Sequence, residues 1–289
     1  MAAVMRVTAS LRHSKGFARI CRFMDRSRRL SNPFRREALN HTARRFPFRV
    51  RSPFSRMMAM CGRYRLSSTE EEVAEFFEAE PTEELHPRYN IALSQPMAVI
   101  RQVGPGRAIS MVRWDLVPFW AKDPSIGSRF MNDRSETVLD KPSFREPFAQ
   151  RRCLVPADGF YEWKKAGPRK QAFHFGMKDE SLFAFAGLWD HWKSPDGTIL
   201  ESCTILTTAP NELLQDVHDR MPVILHHDHY DIWLTAAPAQ RQKLRELLVP
   251  FESELMARYE VSSMVNSPQN DSPACVERVL PVHDLFSSI

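Results

Sequence analysis

Residues 152–164, which read RCLVPADGFYEWK, begin with an apolar run typical of a β-strand. An apolar run at 152–156 is broken by Asp158 and Gly159, and three aromatic residues follow. Five further runs are rich in β-branched and aromatic residues and are separated by Gly, Pro and Asp, which interrupt strands. These runs lie at 97–103, 108–114, 171–177, 181–189 and 202–208. The pattern predicts a chain rich in β-strands.

Helical patterns are fewer. Ser68 stands three residues before Glu71, which is the spacing of a capping box, and apolar residues follow at helical intervals. Asp228 is expected to cap a later helix. The other helical stretches are 213–215, 228–235 and 238–248. Because strands and helices do not alternate regularly, the sequence predicts an α+β fold, with a single β-rich domain and flanking helices.

Charge divides the chain into two parts. Residues 1–60 hold 15 of the 40 Lys and Arg residues but only 2 of the 35 acids, so the rest of the chain is net acidic. We therefore expect a basic N-terminal extension at 1–59 and one domain at 60–289, a length that suits a single core. The formal net charge of +5 for the whole chain says little about that domain.

Three interpretations of the extension remain open. Its Arg and Ser content and its scarcity of acids are typical of an organellar targeting segment. The same composition fits a disordered basic arm that binds nucleic acid. The third interpretation is a spurious extension, placed ahead of the true start by an incorrect initiation codon, which the nearby Met57, Met58 and Met60 favour.

Composition disfavours several classes of protein. No run of about 18 apolar residues follows residue 60, so we expect a soluble, cytoplasmic protein that does not span a membrane. The 5 cysteines are irregularly spaced and form no CxxC pair, which argues against a disulfide framework and a structural zinc site. The histidines at 226, 227 and 229 resemble a metal cluster, but consecutive histidines cannot all face one ion. We predict no metal site and no cofactor.

Cys61 begins the acidic part of the chain. A cysteine at an amino terminus carries an α-amine and a thiol on adjacent carbons, with reference pKa values of about 7.7–8.0 and about 8.5. Such a 1,2-aminothiol captures an aldehyde, because the amine forms an imine and the thiol then closes a thiazolidine ring. Cys61 has this capability only if everything before it is removed. The alternative role for Cys61 is that of a small buried apolar side chain.

Three other positions carry side chains suited to proton transfer or polar binding. Glu162 lies among aromatic residues, and apolar surroundings raise the pKa of a carboxylic acid. His218 is flanked by Asp216 and Asp219, and Asn132 begins a polar stretch. Each signal alone is weak, because exposed strand glutamates and locally hydrogen-bonded loops are common.

Taken together, the segments around these residues resemble one family, the SOS response-associated peptidase (SRAP) domain proteins. The resemblance spans residues 60–270. A set of ordered motifs carries it, and such a set is far more specific than any single motif. The motifs are MCGRY at 60–64, RYNIA at 88–92, WDLVPFWAK at 114–122, NDRSETV at 132–138, KPSFR at 141–145, RCLVPADGFYEWK at 152–164 and HDRMP at 218–222.

The resemblance implies a sensor of abasic sites in single-stranded DNA, whose ring-opened sugar carries an aldehyde. The family forms a covalent crosslink to such sites through an N-terminal cysteine, which shields the lesion. Carried over by motif, Cys61 is the nucleophile and Glu162 is the acid/base that assists imine formation. His218 assists sugar ring opening and reversal of the adduct, and Asn132 binds the sugar near the lesion.

DNA affinity is expected to come from local cations and aromatic rings, because the domain is net acidic. Each candidate arginine lies within three residues of a predicted catalytic residue, and the candidate tryptophans can stack on exposed bases. Core packing is the alternative for Trp163. The candidate DNA-binding residues are Arg63, Arg129, Arg134, Arg220, Trp120 and Trp163. We expect the protein to act as a monomer.

The sequence departs from the family pattern at two positions beside the site. Leu93 stands where members commonly carry proline, so a turn that shapes the DNA wedge is expected to differ. Asp133 stands where the family usually has a small residue, which is expected to put a negative charge near the phosphates.

Two other functions remain open. As a cysteine peptidase, the chain would cleave its own bond between Met60 and Cys61, with the Cys61 thiolate as nucleophile and His218 as base. The extension would then be a propeptide. As a noncovalent module, the domain would bind single-stranded DNA without forming a bond to it.

Overall fold

The computed structural model of this protein describes residues 61–167 and 169–279. The predicted extension at 1–59 lies outside the described residues. Among the described residues, no helix is long and apolar enough to cross a membrane.

Strands hold more of the described residues than helices do, and short helices lie between and after them. The α-helices are α1 (Glu70–Phe77), α2 (Pro142–Gln150), α3 (Tyr230–Thr235) and α4 (Arg241–Glu246). The strands are β1 (Arg63–Leu66), β2 (Ala79–Pro81), β3 (Arg88–Ala92), β4 (Pro96–Val103), β5 (Gly106–Trp114), β6 (Asn132–Arg134), β7 (Arg152–Ala157), β8 (Gly159–Ala166), β9 (Arg169–Met177), β10 (Phe183–Lys193), β11 (Ile199–Thr208), β12 (Met221–Pro222), β13 (Ile224–Leu225) and β14 (Met256–Val261). Short 3-10 helices span Pro124–Arg129, His227–His229, Pro238–Gln240, Ser253–Leu255, Ser263–Asn266 and Pro273–Cys275.

The strands form two sheets. A five-stranded sheet has the order β14-β9-β8-β1-β3. A nine-stranded sheet has the order β12-β11-β10-β7-β4-β5-β2, with β13 beside β10 and β6 beside β11. Parallel pairing of β11 with β5 closes the central strands of this sheet into a barrel-like ring. The predicted α+β class with a β-rich body is confirmed.

All six runs predicted as strands are confirmed, as β4, β5, β7, β9, β10 and β11. The sequence missed β8, which follows the run at 152–156, and several shorter strands, among them β1, β3 and β6. A strand of three to five residues shows too little alternation to be recognised, and long-range pairing rather than local pattern creates it.

The first predicted helix is confirmed as α1, but its cap is shifted by one residue. Thr69, not Ser68, accepts the hydrogen bond from the Glu72 amide, and Glu72 bonds back to Thr69. Ser68 is not the cap because its hydroxyl donates to Asp158 Oδ1 at 2.7 Å. A tertiary partner therefore overrides the local capping pattern.

The other predicted helices are partly confirmed. Residues 228–235 and 238–248 contain α3 and α4, each preceded by a 3-10 turn. Residues 213–215 form a turn instead of a helix. Asp228 is not a cap, because it lies within the 3-10 helix His227–His229 and no side chain caps that helix or α3. Helix α2 was missed, and it holds Pro147 in its interior, where proline normally disfavours a helix.

The main core fills the space between the sheets. Tyr64 on β1 is fully buried there, and its ring makes edge contacts with Trp114 and Phe185 at centroid distances of 5.3 and 5.9 Å. Aromatic rings at such distances and angles attract one another in addition to burying area. This packing fixes β1 immediately after Cys61.

Antiparallel pairing of β1 with β8 positions the site. Tyr64 lies opposite Phe160 in this pair. Because the strands run in opposite directions, the chain before Tyr64 lies beside the chain after Phe160. This register brings Cys61 and Glu162, which are about a hundred positions apart in the sequence, to the same end of the two strands.

Candidate active site

Cys61 lies at the centre of the site and is only 4% exposed. Its thiol donates to the Arg220 carbonyl, with an Sγ–O distance of 3.6 Å. Its own carbonyl accepts a hydrogen bond from Asn132 Nδ2 at 2.9 Å. The Cys61 side chain is therefore buried, as its alternative role from the sequence required. It faces polar groups, however, and not the apolar core.

Glu162 lies on β8 and is 2% exposed. Side chains alternate across a strand, so Glu162 shares the inward face with the buried Phe160, while Tyr161 and Trp163 point the other way. Burial raises the pKa of Glu162 to about 7. The positive charge of His218 and hydrogen bonds from Cys61 oppose this rise.

His218 completes the cluster. A ring nitrogen of His218, the Cys61 sulfur and a Glu162 carboxylate oxygen all lie within 4.8 Å of one another. Nδ1 of His218 is 3.1 Å from both the amide nitrogen and the carbonyl oxygen of Arg220. Nδ1 can therefore accept a hydrogen bond from the Arg220 amide or donate one to the Arg220 carbonyl, depending on the tautomer, which leaves Nε2 free to give or take a proton.

The loop that carries His218 is held to two strands through Asp216. Lys164 Nζ on β8 donates to Asp216 Oδ2 at 2.7 Å, and Arg258 on β14 bonds to the same carboxylate. Arg258 also donates to the Leu213 carbonyl at 2.7 Å. These cations hold the pKa of Asp216 below its usual range. The loop is thus anchored on the strand that carries Glu162.

Arg220 holds Cys61 and His218 through its backbone. Its guanidinium makes a two-point pair with Glu136, at 2.7 and 2.9 Å, and also donates to the Thr207 carbonyl. The backbone of Arg220 contacts both Cys61 and His218. The buried guanidinium therefore fixes a backbone segment on which two catalytic candidates depend. Glu136 was inside a quoted motif, but only the structure reveals what it contacts.

Alternation along β6 separates its three side chains. Asn132 faces Cys61, and Arg134, two residues later, is exposed on the same side of the strand. Asp133 points the opposite way, is buried, and pairs with Lys141. The expectation that Asp133 would bring a negative charge near the phosphates is therefore wrong, because its charge is buried and compensated.

A cavity of about 460 Å³ opens beside Glu162, and Gly62, Leu93 and Lys170 are among its lining residues. Arg63 and Trp163 also line it, and the Arg63 guanidinium lies 5.8 Å from the centre of the Trp163 ring. Arg63 and Trp163, which were predicted to bind DNA, thus line the same cavity as Leu93, which stands where the family commonly has proline.

Asn90 has a structural role that the sequence did not reveal, although it lies in the motif at 88–92. It is fully buried, its oxygen accepts from Arg63 Nη1 at 2.9 Å, and its amide donates to three backbone carbonyls, at 265, 267 and 270. Arg63 also donates to the Val265 carbonyl at 2.7 Å, and Trp163 Nε1 donates to Asn266 Oδ1 at 2.7 Å. Arg63 and Trp163 therefore have structural partners, and their contacts with DNA remain predictions.

The remaining DNA-binding candidates lie in the loop between β5 and β6. Trp120 is 47% exposed, and its neighbour Phe119 is 51% exposed. Phe119 was not singled out from sequence. Its amide donates to the buried Asp190 at 3.0 Å, which ties this aromatic pair to β10. Arg129 is exposed at the end of the 3-10 helix Pro124–Arg129.

The cluster favours addition chemistry over thiolate chemistry. Burial and the neighbouring Glu162 carboxylate raise the pKa of the Cys61 thiol well above its usual value, and Arg220 only partly offsets this. The thiol is therefore predominantly neutral near pH 7. Glu162 and His218, in contrast, are placed to donate and accept protons beside the Cys61 backbone nitrogen, which hydrogen-bonds to the Glu162 carboxylate.

Comparison with known proteins identifies relatives over most of the described residues. A family profile described as "SOS response associated peptidase (SRAP)" matches residues 60–268. The abasic site processing protein YoqW of Bacillus subtilis is 45% identical over 222 residues, which is 75% of this chain and 99% of YoqW. The abasic site processing protein HMCES of Gallus gallus is 36% identical over 194 residues, which is 59% of this chain and 57% of HMCES.

Solved structures show the same fold. A protein of Bacteroides thetaiotaomicron superimposes with a TM-score of 0.69 at 28% identity, covering 76% of this chain and all of that protein. A protein of Bordetella bronchiseptica superimposes with a TM-score of 0.62 at 28% identity, covering 70% of this chain.

Proposed function

Because this chain belongs to the SOS response associated peptidase (SRAP) family, we propose that it processes abasic sites in single-stranded DNA by capturing their aldehyde covalently at Cys61. The observation that carries this proposal is the meeting of Cys61, Asn132, Glu162 and His218, from four separate segments, in one partly buried site. Relatives whose names describe abasic site processing supply the substrate class.

The reaction begins at the α-amine of a chain that starts with Cys61. The amine nitrogen adds to the aldehyde carbon of the ring-opened sugar and gives a carbinolamine. Loss of one water forms the imine. The Cys61 sulfur then adds to the imine carbon while its proton passes to nitrogen, which closes the thiazolidine. The balance is one C–N bond and one C–S bond formed and one water released.

Glu162 serves both proton transfers of imine formation. With a pKa of about 7, its carboxyl is populated in both protonation states near neutral pH. The carboxylate accepts a proton from the attacking amine, and the carboxylic acid delivers one to the departing hydroxyl. The hydrogen bond from the Cys61 backbone nitrogen holds that nitrogen at the carboxylate.

His218 assists the sugar. Opening of the sugar ring to the aldehyde requires a proton to move between two oxygens, and reversal of the adduct requires the opposite movement. Because Nδ1 keeps a partner on Arg220 in either state, Nε2 can give or take that proton without reorganising the loop. Asn132 holds the Cys61 carbonyl and lies on the same side of β6 as the exposed Arg134.

DNA binds through cations and rings around the site rather than through net charge. Arg129 and Arg134 are exposed, and Arg63 lies in the cavity beside Glu162. Trp120 and Phe119 offer exposed rings on which unpaired bases stack, each worth roughly 1–3 kcal/mol and independent of sequence. This arrangement suits single strands, whose bases are accessible.

The test is a chain that begins at Cys61, incubated with single-stranded DNA carrying one abasic site and then boiled in detergent. A covalent adduct survives this treatment, whereas the complex of a noncovalent DNA-binding module dissociates. We expect a durable adduct from the wild type and none from Cys61→Ser, because a hydroxyl closes a less stable ring. Undamaged DNA of the same sequence is the control. A heat-resistant crosslink from Cys61→Ser would refute the role of the thiol.

Self-cleavage between Met60 and Cys61 is the second candidate function. Glu162 and His218 lie beside the Cys61 thiol, and the family description names a peptidase. The step would need Glu162 or His218 to remove the thiol proton, because burial raises the thiol pKa. The mass of the purified full chain tests it. Loss of residues 1–60 from the wild type but not from Glu162→Ala would support self-cleavage, whereas equal processing of the wild type and Cys61→Ala would exclude it.

A further inference from the structure

The catalytic cluster brings together three kinds of metal-binding atom. A thiol sulfur, a carboxylate oxygen and an imidazole nitrogen, from Cys61, Glu162 and His218, lie within 4.8 Å of one another. These residues come from the segment before β1, from β8 and from the loop before β12, so no local metal-ligand spacing joins them in the sequence. Mixed sulfur, nitrogen and oxygen ligands are the set that Zn²⁺ accepts in proteins.

Two further observations support a ligand at this place. Glu162 is almost fully buried, and its Oε1 accepts no hydrogen bond from any residue that the structure describes. His218 Nδ1 lies 3.1 Å from the Arg220 carbonyl, so a proton on Nδ1 can be donated there while Nε2 binds a metal. A histidine ligand held by its second nitrogen on a backbone carbonyl is the usual arrangement in metal sites.

We propose that Cys61, Glu162 and His218 form a Zn²⁺ site that controls access to the nucleophile. Zinc is held by sulfur at about 2.3 Å and by nitrogen or oxygen at about 2.0–2.2 Å, so the ligand atoms move slightly inward on binding. The Cys61 thiol loses its proton to solvent as the zinc–sulfur bond forms. The fourth position is filled by water or, in a chain that starts at Cys61, by the α-amine, which forms a five-membered chelate with the sulfur.

The histidines at 226, 227 and 229 do not form a comparable site. The ring of His226 pairs with Glu252 at 2.9 Å, whereas the ring of His227 packs against Phe76 and Tyr230. These histidines therefore provide a control region, which is rich in potential ligands whose side chains do not point towards a common ion position.

Zinc and an aldehyde compete for the same atoms. The metal-bound sulfur is no longer available to close a thiazolidine, so zinc holds the site in an inactive state until it is removed. This consequence rests on the proposed function, whereas the existence of the metal site does not. The cavity lined by Gly62 and Glu162 gives the ion a path from solvent.

The test measures metal binding to the full chain without DNA. Cd²⁺ replaces Zn²⁺ as a probe, because a cadmium–thiolate bond produces an ultraviolet charge-transfer band. We expect one Cys61-dependent Cd²⁺ per chain, displaced by Zn²⁺, with the band lost in Cys61→Ala. Glu162→Gln and His218→Gln should each weaken Cd²⁺ binding by at least about tenfold, the lower end of the loss that even a supporting residue causes. Circular dichroism of each variant confirms that it is folded.

Two matched variants serve as controls. Cys21→Ala removes the cysteine of the extension, and His226→Ala removes one of the clustered histidines, and both should leave the Cys61-dependent band unchanged. A band that survives Cys61→Ala, or no band in the wild type, would overturn the proposal. A Cys61-dependent band that neither Glu162→Gln nor His218→Gln weakens would also overturn it, since it would show a lone thiolate. Because DNA crosslinking does not enter the measurement, either proposal can fail alone.

Discussion

Burial changes the protonation of the Glu162 carboxyl group. The residue shares the inward face of β8 with Phe160, and burial opposes ionisation more strongly than the hydrogen bonds from Cys61 and the charge on His218 favour it. The resulting pKa of about 7 is high enough for the group to hold a proton at neutral pH. In the proposed reaction, this proton would be delivered to the hydroxyl that leaves the carbinolamine as water.

The same burial makes a prediction about stability. The folded pKa of Glu162, about 7, lies above the usual glutamate value of 4.5, so between these values the folded state binds more protons than the unfolded state. Stability from this group is therefore present at low pH and lost as the pH rises towards and through 7. Glu162→Gln removes the loss, so its stability relative to wild type should increase from pH 5 to pH 8 by on the order of 3 kcal/mol.

Denaturant unfolding of wild type and Glu162→Gln across this pH range checks the prediction. His218 lies beside Glu162 and its charge lowers the Glu162 pKa, so the His218→Gln background supplies the control for its contribution. A difference between Glu162→Gln and wild type that stays constant from pH 5 to pH 8 would show that Glu162 ionises normally.

Glu136 is predicted to act through Arg220. Its carboxylate holds the guanidinium at two points, and the Arg220 backbone in turn contacts Cys61 and His218. In Glu136→Gln the adduct should form roughly tenfold more slowly, below the roughly 100-fold that a misplacement of about 1 Å can cost. DNA affinity, measured separately, should not weaken, because an acidic charge has been removed.

Glu71→Gln is the matched control, since it removes the same charge from an exposed position on α1. Its rate of adduct formation should equal that of wild type, and Glu136→Asp should recover part of the rate. A slow Glu136→Gln whose DNA affinity fell in proportion would indicate a binding residue instead of a positioning residue.

At the scale of elements, the pairing of β1 with β8 and of β8 with β9 determines whether the site forms. Gly159 begins β8, and an added Cβ there would lie 2.1 Å from His174 Nε2 and 2.7 Å from the Phe175 carbonyl. The His174 ring is buried and stacks on Tyr259 at 4.8 Å, so it has little room to move. Glycine at 159 is required by this close approach.

Gly159→Ala should therefore destabilise the protein by about 1–3 kcal/mol, the usual cost of overpacking, and should slow adduct formation through displacement of β8. Gly106→Ala is the control, because nothing lies within 4 Å of a Cβ at that position. Thermal unfolding of both variants checks the prediction. Equal melting temperatures for Gly159→Ala and wild type would show that the strands absorb the methyl group without strain.

Local pattern was sufficient for the long strands, and the set of family motifs pointed to the residues that meet in the site, but neither predicted the contacts between segments. The strands β4 and β10 have runs long enough to be recognised, and the motifs around Glu162 and His218 are distinctive. The Ser68 cap was wrong because Asp158, far away in sequence, competes for its hydroxyl. The burial of Asp133 against Lys141 depends on the pairing of β6 with β11, which no local signal encodes.

At the scale of the whole molecule, positive and negative charges are concentrated in different parts of the chain. The domain is net acidic, yet Arg129 and Arg134 are exposed on the segments around the site. Residues 1–60 add basic charge but also convert the nitrogen of Cys61 from an amine into an amide. An amide cannot form an imine, so the account requires that the chain acting on DNA begins at Cys61.

The intact mass of the DNA adduct tests this requirement most directly. A chain that begins at Cys61 should yield, without added reductant, an adduct whose mass is that of protein plus abasic DNA minus one water. The full chain with residues 1–60 still attached should yield none. An adduct on the full chain with the extension intact, or an adduct that retains the mass of the water, would contradict capture by the Cys61 amine and thiol.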